Sequence, residues 1–299
     1  MKPQTSYCIN NLEGLTEDLY YSLVGDEPYV VFSWEVEAKG QFSWENFLVD
    51  NQALTPLNPE QFLNHIWQTQ SQSVQESYQN LLTLLQDNLS ELTIYGYGFP
   101  QLSEDLFDGN LPVDESQLDP IGVPIFIGLS AEGNWIGLAP QQTAGSPSSP
   151  ELIVPNLAAV GEVTTNLVEQ IKLITTQIEY TTSCKSWKIN PVWEIAITAS
   201  RDSIIEKTLL EARFLSISAV NNHFWHIDEK IDEMEEDELM DEDLEKEIGL
   251  KDYFQSQLSN GKIYNQDYVI GGEFFTIHYI LGQTNDGDWV GVITDSFTF

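Results

Sequence analysis

The strongest constraint on this chain is that it reads as two versions of one pattern. Ile125-Phe126-Ile127-Gly128, followed by Gly133-Asn134-Trp135-Ile136-Gly137-Leu138, is matched 154 residues later by Tyr279-Ile280-Leu281-Gly282 and Gly287-Asp288-Trp289-Val290-Gly291-Val292. Three earlier pairs keep the same order. Pro28 to Trp34 matches Pro191 to Ile197 at an offset of 163, and Asn64-His65-Ile66-Trp67 matches Asn222-His223-Phe224-Trp225 at 158. Leu89-Ser90 and Ile94-Tyr95 match Leu258-Ser259 and Ile263-Tyr264 at 169. Offsets that drift are what loops of unequal length produce. Four ordered matches favour a duplicated domain. Two copies are too few for a solenoid, and each is long enough to fold as a domain. The expected organisation is copy 1 over 1–140, a Pro/Ser-rich linker over 141–160, and copy 2 over 161–299, with an acidic insertion at 228–247.

Hydrophobic spacing places elements on these copies. Leu12, Leu15, Leu19 and Leu23 predict a helix over 12–23 with Thr16 and Glu17 exposed, ended by Gly25. Aromatic and β-branched residues from Pro28 to Val36 predict a strand. Val74, Tyr78, Leu81, Leu82, Leu85 and Leu89 form one helical stripe. Strands at 123–130 and 134–138 join at Ala131-Glu132-Gly133, a hairpin turn. Copy 2 repeats the scheme: helices at 163–179 and 249–258, then strands at 273–281 and 288–293 around Asn285-Asp286-Gly287. Helices beside antiparallel strands make the expected class α+β.

Charge narrows the partners. The 299 residues hold 47 Asp and Glu against 12 Lys and Arg, a formal net charge of −35. Residues 1–150 contain only Lys2 and Lys39, so a phosphate backbone or an acidic membrane surface is an unfavourable partner. A basic protein is the natural one, because a field of this sign accelerates encounter with a positive surface. The 41% hydrophobic content supplies cores that a disordered acidic tail lacks. Cys8 and Cys184 read as free thiols in a reducing compartment. No apolar run reaches the ~18 residues of a membrane helix, and the start has no apolar leader. The expected location is cytoplasmic.

Catalytic motifs are sparse: there is no phosphate loop, nucleophile elbow, zincin helix or dinucleotide fingerprint, and no cofactor is expected. Of the four histidines, His65 and His223 fall at one repeat position, which suits packing or capping. His223, His226 and Asp228 are a candidate metal set. Copy 1 has Gln68 and Thr69 where the extra ligands would stand, which favours a structural role. The run 228–247 holds 13 acids and two lysines. It reads either as an amphipathic helix or as a self-repelling solvated segment. Asn285-Asp286-Gly287-Asp288 resembles a metal loop in composition, but its counterpart Ala131-Glu132-Gly133-Asn134 makes a hairpin turn the better reading. Trp135 and Trp289 are expected core anchors.

One resemblance joins these features. Pro28-Tyr29-Val30-Val31-Phe32-Ser33-Trp34-Glu35, then Asn88-Leu89 with Ile94-Tyr95, then Gly128, Gly133-Asn134 and Gly137, resemble the nuclease A inhibitor family over about residues 10–140 and more faintly over 163–299. The resemblance implies two tandem α/β/α sandwiches, each with a mainly antiparallel sheet. It also implies inhibition of a sugar-non-specific, metal-dependent nuclease by occupation of its basic cleft, without catalysis. The family places an acidic contact four residues before the strand-opening proline, where this chain has Val24 and, in copy 2, Trp187. Asp26 and Glu27 stand close by as substitutes. The family's C-terminal hydroxyl contact corresponds here to Thr298, since only copy 2 ends freely. The expected partner-binding residues are therefore Asp26, Glu27 and Thr298. The alternative is a non-catalytic scaffold for another basic protein, and a third reading is a metal-dependent hydrolase at His223, His226 and Asp228.

Overall fold

The computed structural model of the chain describes residues 2–21, 27–99, 122–143, 160–178, 189–233, 242–270 and 273–298. The first half runs α1 (Pro3–Thr16), β1 (Tyr20–Tyr21), β2 (Glu27–Pro28), β3 (Val30–Trp34), α2 (Val36–Lys39), α3 (Trp44–Asp50), β4 (Leu54–Leu57), α4 (Pro59–Thr69), α5 (Gln72–Asn88), β5 (Leu89–Tyr97), β6 (Val123–Ser130) and β7 (Trp135–Gln142). The second half runs α6 (Glu162–Thr175), β8 (Ile189–Thr198), α7 (Arg201–Glu211), β9 (Ser216–Ser218), α8 (Val220–His223), α9 (Trp225–Glu233), α10 (Glu242–Ser256), β10 (Ser259–Ile270), β11 (Glu273–Gln283) and β12 (Trp289–Thr298). The fold is α+β, with two five-stranded antiparallel sheets.

The sheets do not follow the sequence halves. One is ordered β4-β5-β6-β7-β8 and the other β3-β12-β11-β10-β9. Each takes four strands from one half and its edge strand from the other. β3 pairs with β12 in the register Trp34↔Trp289 to Val30↔Ile293. β8 pairs with β7 from Thr198↔Trp135 to Trp193↔Pro140. The flanking helices travel with these strands. α1 packs against β3, β12 and α10, while α6 packs against α5 and β8. The boundaries at 140 and 161 thus divide the sequence, whereas each sheet is built from both sides of them.

Alternating side chains explain the layering. Ile263, Ile280, Val290 and Val292 face outward, into a core shared with Cys8 and Leu12 of α1 and Leu250 and Phe254 of α10. The opposite face carries Tyr264 and Tyr279, met edge-on by Trp44 and Phe47 of α3 at ring distances of 4.5 and 5.3 Å. On the other sheet, Phe126 and Trp193 face Phe62 of α4 and Tyr78 of α5. Gly137 lies beneath α7, where an added methyl would overlap Thr208 Oγ1 and Ile204. α3 and α7 therefore fill the space between the sheets, within one continuous apolar core.

Corresponding positions share backbone peculiarities. Glu91 and Asn260, 169 residues apart, both have left-handed φ (52° and 55°) beside a β-bulge. Gln52 and Arg213 also have left-handed φ, at 57° and 63°. A methyl on Gly128 would stand 2.9 Å from Leu89 Cβ, and one on Gly282 2.6 Å from Leu258 Cβ. Only glycine admits such an approach. The turns at Gly133 (φ 81°) and Gly287 (φ 86°) close hairpins, as the sequence predicts.

Several boundaries depart from expectation. The first helix covers 3–16, not 12–23, because Pro3 opens it and Asp18 leaves the helical region at φ 56°. Thr16, expected at the surface, is buried and donates its hydroxyl to Leu12 O at 2.9 Å. Leu19 is buried beyond the helix end, and residues 22–26 lie outside the described residues. The strand expected over 28–36 is split between the end of β2 at Pro28 and β3, with α2 beginning at Val36. The acidic stretch 228–247 contributes the end of α9 and the start of α10, with 234–241 outside the described residues. Of the linker, 141–142 complete β7, and 144–159 are outside the described residues.

Candidate functional site

Asp26 lies outside the described residues, as do Val24 and Trp187. Glu27 is placed by its backbone in β2, opposite Tyr21. Thr298 is placed by its backbone at the end of β12, opposite Phe274. β2 lies against β12, and the β3–β12 register directs the last residues of β12 toward β2. The pairing therefore brings a first-half segment and the last strand of the second half together at one end of one sheet.

Next to β1, over the face of β10, β11 and β12, lies a cluster of titratable side chains from both halves. Tyr21 of β1 stacks on His223 at a ring distance of 4.5 Å and 15°, and stands edge-on to His278 at 5.5 Å and His226 at 6.3 Å. The Tyr29 hydroxyl is 3.1 Å from His223 Nε2. His226 Nε2 is 3.0 Å from Glu247 Oε1, and Lys230 Nζ lies 3.8 Å from the other oxygen. His278 is clamped between Asn265 Oδ1 at 2.8 Å and Ser296 Oγ at 2.9 Å. His223, His226 and Glu247 are all buried. Such groups persist in an interior only when paired.

Burial sets their chemistry. It raises the Tyr21 phenol to about 12, with the Glu247 charge adding to the effect. Burial, then Glu247 and Tyr21, raise Tyr29 well above its ordinary value. Burial, followed by the neighbouring His278 and His226, holds His223 well below the ordinary imidazole value. His278 is lowered by burial to about 4. At neutral pH the cluster thus contains protonated phenols and neutral imidazoles at His223 and His278. It is a packed stack of rings, and the open space nearby lies to one side. A groove of about 530 Å³ runs between α1 and β3, lined by Glu13, Thr16, Glu17, Tyr29, Val30 and Val31.

The candidate metal set is not assembled. Asp228 is exposed and accepts from Lys251 Nζ at 2.9 Å, away from the two histidines. Among the described residues, no three His, Cys, Asp or Glu side chains converge as metal ligands. His65 lies within α4 and His223 ends α8; each is followed by a buried apolar residue, Ile66 or Phe224, and then by an exposed tryptophan, Trp67 or Trp225. Cys8 is a buried free thiol, and Cys184 lies outside the described residues.

Two hairpin turns have a role that the sequence reading missed. Asp288 accepts from Thr5 Oγ1 at 2.6 Å, Val36 N at 2.9 Å and Lys2 Nζ at 3.4 Å, tying the start of α1 and of α2 to the β11–β12 turn. Burial works to raise its pKa, but these three donors outweigh it and hold the carboxyl below its usual range. Glu132, in the β6–β7 turn, accepts from Val163 N at 3.2 Å and Thr164 N at 2.9 Å at the start of α6. Each turn thus anchors the other half's first helix through orphan amides or a first-turn hydroxyl. Trp135 is buried beneath the Arg201 guanidinium, 5.0 Å above its ring, and Trp289 packs on Phe42 at 5.1 Å.

Comparison of the chain with protein-family profiles, curated proteins and solved structures finds no match. Among the described residues, no helix is long and apolar enough to cross a membrane.

Proposed function

We propose that this chain is an acidic protein-binding protein of the cytoplasm that occupies a basic cleft on its partner. A sugar-non-specific, metal-dependent nuclease is the first partner to test. Charge carries the reading. Against a net charge of −35, Lys2, Lys39, Lys172, Arg201, Lys230, Lys246 and Lys251 already face carboxylates of the same chain. The field left over attracts a cationic surface and repels phosphate. The binding face assigned here is the β2–β12 edge, with Asp26, Glu27 and Thr298 as its contacts.

The test is a nuclease assay titrated with purified protein at low salt. Inhibition that weakens as salt rises is expected, because screening shortens the reach of surface charge to about 10 Å at 0.1 M. Unchanged nuclease activity at low salt refutes the inhibitor reading. Asp26→Lys and Glu27→Lys should weaken binding more than Glu60→Lys, on the distant α4; equal effects remove the edge from the interface. Val24 and Trp187, standing where the resembled family has an acid, favour the second reading of a scaffold for a different basic protein. Recovery of one consistent partner that is not a nuclease in pull-downs supports that alternative.

A further inference from the structure

We propose that the segment comprising α1, β1, β2 and β3 is an arm docked through a histidine latch, and that acidification opens this latch. The arm supplies Tyr21 and Tyr29. The body supplies His223 from α8, His226 and Lys230 from α9, Glu247 from α10, Asn265 from β10, His278 from β11 and Ser296 from β12. Among these groups the one carboxylate is Glu247, which His226 and Lys230 already contact. Among the described residues no other carboxylate faces His223 or His278, so a proton added to either gains no ion pair there. Their rings lie 5.3 Å apart, so two imidazolium charges repel across a site closed by Tyr21.

The direction follows from linkage. A buried imidazole lowered below its value in water binds fewer protons docked than released. Docking is therefore complete above about pH 6.5 and weakens as pH falls toward the docked value. For His278, lowered to about 4, release to its ordinary value shifts the opening equilibrium roughly 30-fold between pH 8 and pH 5. His223 acts in the same sense. Asp288 is a further polar anchor of the arm, beside the Lys246 Nζ bond to Glu17 O and the β3–β12 ladder; it is held below the usual carboxylate range and keeps its charge over this interval. Opening uncovers the edge of β12 and the apolar face under Cys8 and Leu12.

Hydrogen exchange on the full chain at pH 8 and pH 5, corrected for intrinsic exchange rates, tests the latch. The expected result is loss of protection in α1 and β3 by about 30-fold or more, with β5, β6 and β7 unchanged. Labelling of Cys8 by 4,4′-dithiodipyridine in a Cys184→Ser background, expressed relative to a free thiol at the same pH because the thiolate is the nucleophile, should rise in parallel. The His223→Gln, His278→Gln double variant should lose this pH dependence. Equal protection of the arm at both pH values overturns the proposal, as does uniform loss across both sheets. A folded double variant with the wild-type slope also overturns it, and the wild-type exchange map decides alone if that variant does not fold.

Discussion

Replacing Asp288 by alanine tests whether α1 is held by its polar anchor or by apolar packing alone. Thr5 is fully buried and Asp288 almost so, so the hydroxyl of Thr5 and the amide of Val36 lose their acceptor without gaining water. A hydrogen bond to a charged group contributes about 1.5–3 kcal/mol. Two such bonds, allowing for non-additivity, put the cost of Asp288→Ala at about 3–5 kcal/mol. Lys2, about a third exposed, adds little because surface pairs are screened. Asp288→Asn keeps the shape and one acceptor and should cost about 1–2 kcal/mol. Urea unfolding at pH 7 measures both from the shift in midpoint at constant slope. The gap between wild type and Asp288→Ala should narrow below about pH 4. A lowered carboxylate contributes its stability above the unfolded value and loses it as pH falls through the folded one. A cost under about 1 kcal/mol for Asp288→Ala, or equal costs for both variants, refutes the anchoring argument.

The glycines give a contrast of sign. Gly14→Ala, in α1 with nothing within 4 Å of the new methyl, should raise stability by up to about 1 kcal/mol, whereas Gly137→Ala forces a methyl into Thr208 and Ile204 and should cost about 1–3 kcal/mol; thermal melts decide both. Arg201→Ala removes both guanidinium contacts to Glu45 and the cover over Trp135, and should cost about 2–3 kcal/mol in urea unfolding, with Arg201→Lys recovering only part. The Tyr95 phenol is pushed up to about 12 by burial and its bond to Glu45. Its contribution is complete below about pH 10 and declines as pH rises toward 12, so Tyr95→Phe should flatten the loss of stability over that range.

Where one face of an element meets one core, the sequence was legible. Val74, Tyr78, Leu81, Leu82 and Leu85 are all buried along α5, and Gly133 and Gly287 turn the hairpins. The α+β class follows from the same local signals. What could not be read is which sheet receives β3 and β8. Val30 to Trp34 satisfies the edge of β12, yet nothing local distinguishes that edge from β7, since both present Trp, a branched residue and Gly in the same order. The choice is tertiary. The helix expected over 12–23 failed for a related reason: Leu19 joins the apolar core from an extended segment, mimicking helical spacing. Of the titratable cluster, His223 and His226 stood out by spacing. Tyr21, Tyr29, Glu247 and His278 come from four separate segments and carry no shared motif.

The reciprocal placement of β3 and β8 makes each half of the chain complete the sheet of the other. Cutting the backbone between residues 143 and 160 would not liberate two self-sufficient proteins. Each fragment would keep a sheet lacking its last strand, and would carry the strand and covering helix that complete its sibling.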